Sequence, residues 1–351
     1  MSRKLIKLKH HVDDYECMWN GIEDLYIQNT GETLPPNFFF VLSGLGSFCY
    51  MKTPKSELKR MIALGDGRTK RMYEFLSPID GFEYKHYEYN TFEQAIKKAR
   101  AEIDAGHPTV LGPLDMYHLP YYLKLYHVGH IPFHYVLMVG YDDDEQCIYL
   151  LDCGREEVQI LSYNELRQAW DCSYPGLSKP NTVCTVRMNA AKNKCQITKE
   201  ALAKKAEMFL NPPVSFVGKK GFQKFIDELP KLKTELMKED YDKLFTNMVT
   251  FLGTVPTVPN ALKGIDEPDE VEYKGGFDKM SRVLADMGSE YGEKVWLEAS
   301  GHFEEGAKII PEITNVIVNY LTEKSNRMDE LPGLFTSVMN IMSDCFVLLR
   351  R

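Results

Sequence analysis

Three side chains that lie far apart in the sequence have the residue types of a thiol nucleophile and the two groups that activate it. Cys17 stands at the start of a predicted helix, His134 next to the start of a predicted strand and Asp152 at the end of the following strand. Partial positive charge at a helix N-terminus favours a thiolate over a thiol. This set predicts attack by Cys17 on an acyl carbonyl, with His134 moving the proton. The alternative is that Cys17 is a buried, inert thiol, the commonest state of a single cysteine.

The two strands next to His134 and Asp152 are predicted to form a hairpin. Short apolar runs indicate strands at 135–141 and 147–152, joined by an acidic turn. If the turn centres on Asp143, His134 faces Asp152 with their Cβ atoms about 4.5–5.5 Å apart. The carboxylate then fixes the tautomer of the imidazole and leaves the other ring nitrogen as a base. The alternative is a surface His–Asp pair at a strand end.

The elements that must position these residues follow from apolar periodicity. The helix that carries Cys17 is predicted over 17–28, with Asp13 or Asp14 as its N-cap and Gly31 as its stop. Other helices are predicted at 56–64, 92–105, 163–170, 198–209, 221–238, 240–252, 276–291, 296–308, 311–324 and 331–349. Further strands are predicted at 108–111, 159–162 and 182–187.

The pattern of elements changes near residue 190. Up to residue 187 the sequence mixes helices and strands, and beyond it the pattern is helical, apart from loop-rich segments such as 256–272. The sequence therefore predicts an α+β fold of two domains, at 1–190 and 191–351.

Composition and charge exclude several classes of protein. The 351 residues carry a formal net charge of −8 and no long basic run, which argues against a nucleic-acid partner. The apolar runs 38–42 and 135–139 are too short to span a membrane, which takes about 20 residues. The eight cysteines are scattered and form no CxxC pair, which favours reduced thiols in a cytoplasmic protein.

Several segments resemble the butirosin biosynthesis protein H family, whose N-terminal domain is similar to papain-type cysteine peptidases. The matching pieces are 11–25 around Cys17, 37–48 (NFFFVLSGLGSF), 115–121 (DMYHLPY), 134–144 (HYVLMVGYDDD), 149–152 (YLLD) and 274–283 (KGGFDKMSRV). Papain-like enzymes also use the chain order Cys, His, then Asn or Asp. In one departure, Glu16 stands where members of this family often have a histidine.

The resemblance implies a papain-like catalytic domain at 1–190 and a helical C-terminal domain at 191–351. It implies that Cys17 is the nucleophile, His134 the base and Asp152 the residue that orients it. The implied function is a cysteine-dependent acyltransferase of natural-product biosynthesis. It would take an acyl or aminoacyl group from a carrier-protein or coenzyme A-type thioester and pass it to an amine through a Cys17 thioester. No cofactor is expected, and a phosphopantetheine thioester would enter as substrate.

Further site residues are predicted around this core. Papain-like enzymes place a side-chain oxyanion donor six residues before the cysteine, and His11 stands there. Asp115, Tyr117, Tyr121 and His130 are predicted to bind substrate as part of a pocket wall. The alternative is an ordinary aromatic loop that packs on the core.

No metal site is predicted. The spacing of His127, His130 and His134 would suit zinc on a helix face, but Gly129 and Pro132 argue against a helix there.

Two other functions stay open at this stage. One is a cysteine hydrolase of peptides or amides, and the other is a papain-like module that has lost catalysis and binds an acyl ligand or carrier protein. The apolar stripes at 309–321 and 331–349 favour a homo-oligomer, unless those stripes pack on each other.

Overall fold

The computed structural model describes residues 3–13, 16–54, 56, 58–64, 69–173, 179–252 and 275–350. They form a mixed α+β fold with an antiparallel sheet, which confirms the predicted fold class. The strands are β1 Arg3–Leu5, β2 Phe48–Lys52, β3 Arg60–Leu64, β4 Glu83–Glu88, β5 Thr109–Leu114, β6 His134–Asp142, β7 Cys147–Leu151, β8 Gln159–Ser162 and β9 Thr182–Arg187. The α-helices are α1 Cys17–Thr30, α2 Phe38–Gly44, α3 Thr69–Asp80, α4 Phe92–Asp104, α5 Tyr163–Trp170, α6 Lys194–Leu210, α7 Gly218–Glu235, α8 Lys238–Leu252, α9 Gly275–Tyr291, α10 Lys294–Leu321 and α11 Leu331–Leu349.

The chain forms two compact units that alternate along the sequence. Of the described residues, the first unit comprises those within 1–39 and 68–194, and the second comprises those within 40–67, 195–252 and 275–350. The change after residue 194 lies close to the predicted domain boundary at 190. Residues 40–67, however, group with the helical residues. The division into domains at 1–190 and 191–351 stays a prediction.

The first unit is built around one antiparallel sheet. Its strand order is β4-β9-β5-β6-β7-β8, and β1 pairs with the other part of β6. Strands β5, β6 and β7 are buried along almost their whole length, because helices and loops cover both faces of the sheet. The predicted hairpin of β6 and β7 is present. Its first strand supplies His134, and Asp152 directly follows its second.

The second unit combines a hairpin with helices. Strands β2 and β3 pair in antiparallel register, and the ring of Phe48 stacks on Phe222 of α7 with centroids 4.0 Å apart. The hydroxyl of Tyr50 donates a hydrogen bond of 2.6 Å to Glu228 of the same helix. The hairpin therefore packs on α7 through an apolar stack and a partly buried hydrogen bond.

Three predictions of secondary structure need correction. The segment predicted as a helix at 56–64 ends in strand β3, because pairing with β2 satisfies its backbone. The two helices predicted at 296–308 and 311–324 are one helix, α10, with Pro311 inside it. Buried side chains on both sides of the proline, Ile310 and Ile313, hold the helix together by packing. The sequence analysis did not predict β1, α2, β2, α3 or β4, and the loop-rich segment 256–272 lies outside the described residues.

One helix among the described residues is long and apolar enough to cross a membrane by length and composition. It is Met328–Leu349, which joins a short 3-10 turn to α11. The sequence analysis named two shorter runs as the most apolar and did not single out this one. Core helices of globular proteins meet the same criterion, and α11 buries Phe335, Met342 and Phe346.

Candidate functional site

A glycine sets the close packing between the helix of Cys17 and the strand of His134. A Cβ atom on Gly21 would lie 2.5 Å from the Cβ of Leu137, a distance that real side chains do not adopt. The missing side chain therefore lets α1 lie directly on β6. Cys17 is one helical turn before Gly21, and His134 is three residues before Leu137. This contact places the start of α1 beside the start of β6.

The imidazole of His134 and the carboxylate of Asp152 are in direct contact. Nε2 of His134 lies 2.8 Å from Oδ2 of Asp152, and the side chains are 1% and 0% exposed. The predicted facing register is wrong, because Leu137 faces Leu151 and a bulge follows Met138. In that register Asp152, just beyond β7, is a diagonal neighbour of His134, and diagonal neighbours share a face and are within reach of long side chains.

The charge on His134 is stabilised from both sides of its ring. Burial alone lowers the pKa of His134, but the charge of Asp152 and the nearby Cys17 side chain outweigh this and raise it to about 10. Burial likewise raises the pKa of Asp152, and the charge of His134 outweighs this and holds that pKa below its ordinary value. Because Nε2 is used by Asp152, Nδ1 is the nitrogen left for the sulfur. The three residues therefore meet in the order Cys17, His134, Asp152.

Two tyrosines complete the surroundings of Asp152. The hydroxyl of Tyr122 donates to Oδ1 at 2.7 Å, and that of Tyr121 donates to Oδ2 at 2.9 Å. The guanidinium of Arg155 lies 4.5 Å from the ring centroid of Tyr122 and donates to the carbonyl of Tyr121. Tyr121, predicted to bind substrate, thus contacts the carboxylate of the site. Hydrogen bonds to a buried carboxylate stabilise its ionised form.

The segment before α1 ties that helix to the residues around Asp152. His10 places Nδ1 2.6 Å from Asp24 of α1 and Nε2 3.1 Å from the carbonyl oxygen of Asp152. The N–H of Asp13 adds a bond of 2.8 Å to the carbonyl of Cys153. Helix α1 and the end of β7 are therefore linked through residues 10–13.

His11, predicted as an oxyanion donor, has both ring nitrogens beside carboxylates. Nδ1 lies 2.6 Å from Asp24 and Nε2 lies 3.3 Å from Glu23. Burial lowers the pKa of His11, and the two carboxylates outweigh this and raise it to about 10. The ring is thus held by α1, and its role as an oxyanion donor stays a prediction.

The remaining predicted binding residues form a cluster of their own. Asp115 accepts from the His130 ring at 2.6 Å and from the backbone N–H of Tyr117 and Ile131. The rings of Tyr117 and His130 stack with centroids 4.1 Å apart. Asp115, Tyr117 and His130 are brought together, and their role in substrate binding stays a prediction.

One group among the described residues has the spacing of metal ligands. Ligand atoms of His11, Asp13 and Glu23 lie within 4.8 Å of one another. The His11 ring is already a cation between two carboxylates, which opposes binding of a metal ion there. We therefore assign no metal to this group.

The sequence analysis did not predict His10, Asp24 or Tyr122 as parts of the site. A signal for Asp24 is present in the sequence: Glu23 and Asp24 are adjacent carboxylates inside an otherwise apolar helix, and both are buried. Buried carboxylates need hydrogen-bond partners, and the adjacent histidines His10 and His11 precede the helix and could supply them.

The geometry provides a thiol, a base and a carboxylate in one chain of contacts. Residues 16–153, which include all three, match the family model described as butirosin biosynthesis protein H, N-terminal. No curated protein matches the chain. This match over residues 16–153 supports the resemblance to the butirosin biosynthesis protein H family that the sequence motifs indicated.

Proposed function

We propose that this protein is a cysteine-dependent acyltransferase, which moves an acyl or aminoacyl group from a thioester donor to an amine through a thioester on Cys17. The observation that supports it most is the buried His134, which contacts Asp152 through one ring nitrogen and has the Cys17 side chain beside its ring. The family match points more broadly to a biosynthetic enzyme of natural-product metabolism.

The first half-reaction forms the acyl-enzyme. His134 holds the proton of the thiol, and the Cys17 thiolate attacks the donor carbonyl. The bond from carbonyl carbon to donor sulfur breaks, and the departing thiolate takes the proton from His134. Thiol and thioester exchange nearly evenly in energy, so a thioester donor suits a thiol nucleophile. The backbone N–H of Cys17, at the start of α1, is the proposed oxyanion donor.

The second half-reaction passes the acyl group to the acceptor. An amine attacks the Cys17 thioester, and a new C–N bond replaces the C–S bond. The proton released by the amine moves to His134, which then shares it with the Cys17 thiolate. Asp152 keeps the imidazole in one orientation through both halves, so it acts through His134 as a positioning residue.

The donor and surroundings are also part of the proposal. A carrier protein or coenzyme A-type molecule would present the acyl group on a phosphopantetheine arm, and no cofactor takes part in the steps above. We further propose a papain-like core, a cytoplasmic location and a homo-oligomer, with no nucleic-acid or membrane partner.

Intact-mass spectrometry after incubation with an acyl-pantetheine thioester tests the proposal. We expect one acyl adduct on the wild-type protein and none on Cys17→Ala. Cys195→Ala is the matched control, because Cys195 is also a half-buried thiol. An adduct that persists in Cys17→Ala contradicts the proposal.

Dependence on the acceptor separates transfer from hydrolysis. An acyltransferase forms amide in proportion to added amine, whereas a hydrolase releases free acid whatever amine is present. If no adduct forms at pH 7–8, the result would favour the other alternative, a papain-like module that has lost catalysis and binds an acyl ligand or carrier protein.

A further inference from the structure

A polar cavity lies in the first unit, between α3 and β4. Its volume is about 430 Å³. Its lining combines two charged side chains, a hydroxyl, a proline and two aromatic rings: Lys70, Glu74, Ser77, Pro78, Tyr84 and His86. None of these residues takes part in the acyl-transfer steps described above.

The side chain of Tyr73 lies between this cavity and the residue that follows the nucleophile. Its ring stacks on Tyr84 with centroids 4.9 Å apart and lies 5.6 Å from the ring of His86. Its hydroxyl donates a hydrogen bond of 2.6 Å to the carbonyl of Met18, the residue after Cys17. A single side chain therefore separates the cavity wall from the first turn of α1.

The beginning of α3 makes a second connection to the site. Thr69, its first residue, is hydrogen-bonded to Tyr135, which follows His134 in β6. Lys70 comes next, and Glu74 is one helical turn further along α3. The charged side of the cavity thus begins beside β6 and extends away from it.

The two charged side chains of the cavity, Lys70 and Glu74, are exposed. Among the described residues, neither Lys70 nor Glu74 has an ion-pair partner, although residues four apart on a helix commonly pair. Glu83 and Lys85, which alternate with Tyr84 and His86 along β4, do pair at 2.6 Å. Burial, followed by the charge of Lys70, lowers the pKa of His86 to about 4, so this ring is neutral at neutral pH. The cavity therefore offers one cation and one anion, about 6 Å apart at their Cβ atoms.

We propose that this cavity binds the far end of the acceptor amine, and that this end is zwitterionic, with an ammonium group bound by Glu74 and a carboxylate bound by Lys70. The acceptor class is then an α-amino acid whose side chain carries a second, nucleophilic amine. The ring of Tyr84 supplies an apolar surface for its methylene groups. This inference rests on the proposed acyl transfer, because it assigns the acceptor of that reaction.

Calorimetric titration with L-lysine tests the cavity without requiring catalysis. We expect binding to the wild-type protein and to Cys17→Ser, and a loss of affinity of roughly tenfold in each of Glu74→Gln and Lys70→Met. Glu83→Gln is the matched control, since it removes an exposed carboxylate from the opposite face of β4 and should leave the affinity unchanged. No heat of binding, or equal affinity in Glu74→Gln and wild type, overturns the inference.

Acceptor kinetics then assign the role of each charge. Four acceptor amines serve as probes. L-lysine carries both distal charges, and cadaverine carries only the distal ammonium. 6-Aminohexanoate carries only the distal carboxylate, and pentylamine carries neither. We expect L-lysine to have the lowest KM, Glu74→Gln to raise KM for L-lysine and cadaverine only, and Lys70→Met to raise it for L-lysine and 6-aminohexanoate only. Cadaverine or pentylamine equalling L-lysine contradicts a zwitterionic site.

The two proposals fail in different ways. If L-lysine binds but no acyl-Cys17 adduct forms, acyl transfer is wrong and the cavity is a ligand site of another reaction. If the adduct forms and is transferred to amines, but Glu74→Gln and Lys70→Met leave both affinity and KM unchanged, the cavity assignment alone is wrong.

Discussion

The Asp152 carboxylate receives hydrogen bonds from three side chains, His134, Tyr121 and Tyr122, in a site closed to water. Each donor stabilises the ionised carboxylate, which in turn stabilises the positive charge on His134. A single hydroxyl of this set can be removed without changing the packing, because phenylalanine keeps the ring of tyrosine.

Tyr122→Phe should raise the pKa of Asp152 and shift the acid limb of Cys17 alkylation by iodoacetamide to higher pH. It should also lower the free energy of unfolding by about 1.5–3 kcal/mol, the value typical of a hydrogen bond to a charged group. The measurements are alkylation rates from pH 4 to 9 and urea denaturation.

Tyr163→Phe is the control for this prediction, because its hydroxyl donates to Asp143, outside the site. The same shift in both variants would argue that the change is not specific to Asp152.

The raised pKa of His134 predicts a pH dependence of stability. The pKa of His134 is about 10 in the folded state and 6.5 in the unfolded state. His134 therefore stabilises the fold fully below about pH 6.5, and this stabilisation is lost as the pH rises toward 10. Wild type should therefore be more stable than His134→Gln at pH 6, and the difference should shrink toward pH 10. Urea denaturation of both proteins across this range is the measurement, and a constant difference would contradict the assigned pKa.

At the scale of single residues, the sequence predicts which residues could form a site better than it predicts which residues contact one another. Cys17, His134 and Asp152 could be proposed because few residue types serve as nucleophile, base and orienting carboxylate. The contacts of His10 with Asp24, and of Tyr122 with Asp152, join residues far apart in sequence. Neither periodicity nor spacing carries information about such pairs.

At the scale of elements, the approach of α1 to β6 depends on one missing side chain. Gly21→Ala would force its new methyl group against Leu137, so α1 must shift. We expect a loss of about 1–3 kcal/mol in the free energy of unfolding. We also expect slower alkylation of Cys17, because the thiol moves away from His134. The first is measured by urea denaturation and the second by alkylation kinetics.

A second glycine offers a matched control for this change. Gly301 also lies inside a helix, α10, and a Cβ atom there would meet nothing within 4 Å. Gly301→Ala should raise stability by up to about 1 kcal/mol, through helix propensity. Equal effects of the two substitutions would show that packing at Gly21 is not decisive.

Helices and strands could be predicted from the sequence where the local preferences of the residues agree with the way the element packs in the fold. The helix of Cys17 begins where it was predicted and has Gly31 in the left-handed conformation at its end. Strand β3 was mistaken for a helix because its pairing with β2 is not visible in its own sequence. The break predicted at Pro311 is absent, because the packing of α10 outweighs the local preference of proline.

At the scale of the whole molecule, the two compact units do not correspond to two halves of the sequence. Residues 40–67 belong with the helical unit, although residues of the first unit precede and follow them. Phe48 and Tyr50 of this segment contact α7, whose residues come much later in the chain. A fragment that ends at residue 194 therefore contains the β2–β3 hairpin without the helix that covers it.

We expect this fragment to expose Phe48 and to be cleaved by protease within 40–67 at least tenfold faster than the full chain. Limited proteolysis with mass spectrometry of the products is the measurement. The loop around 179–181, which both proteins contain within the first unit, serves as the internal reference site. Equal resistance within 40–67 in fragment and full chain would show that the hairpin does not need α7.

The same interleaving limits how this enzyme could be recombined with its relatives. A chimera joined once near residue 190 would combine the hairpin of one parent with the α7 of another, and the stacked Phe48–Phe222 pair would then come from sequences that never evolved together. Grafting a new helical unit requires three crossover points, after residues 39, 67 and 194, so that residues 40–67 travel with the helices they pack against.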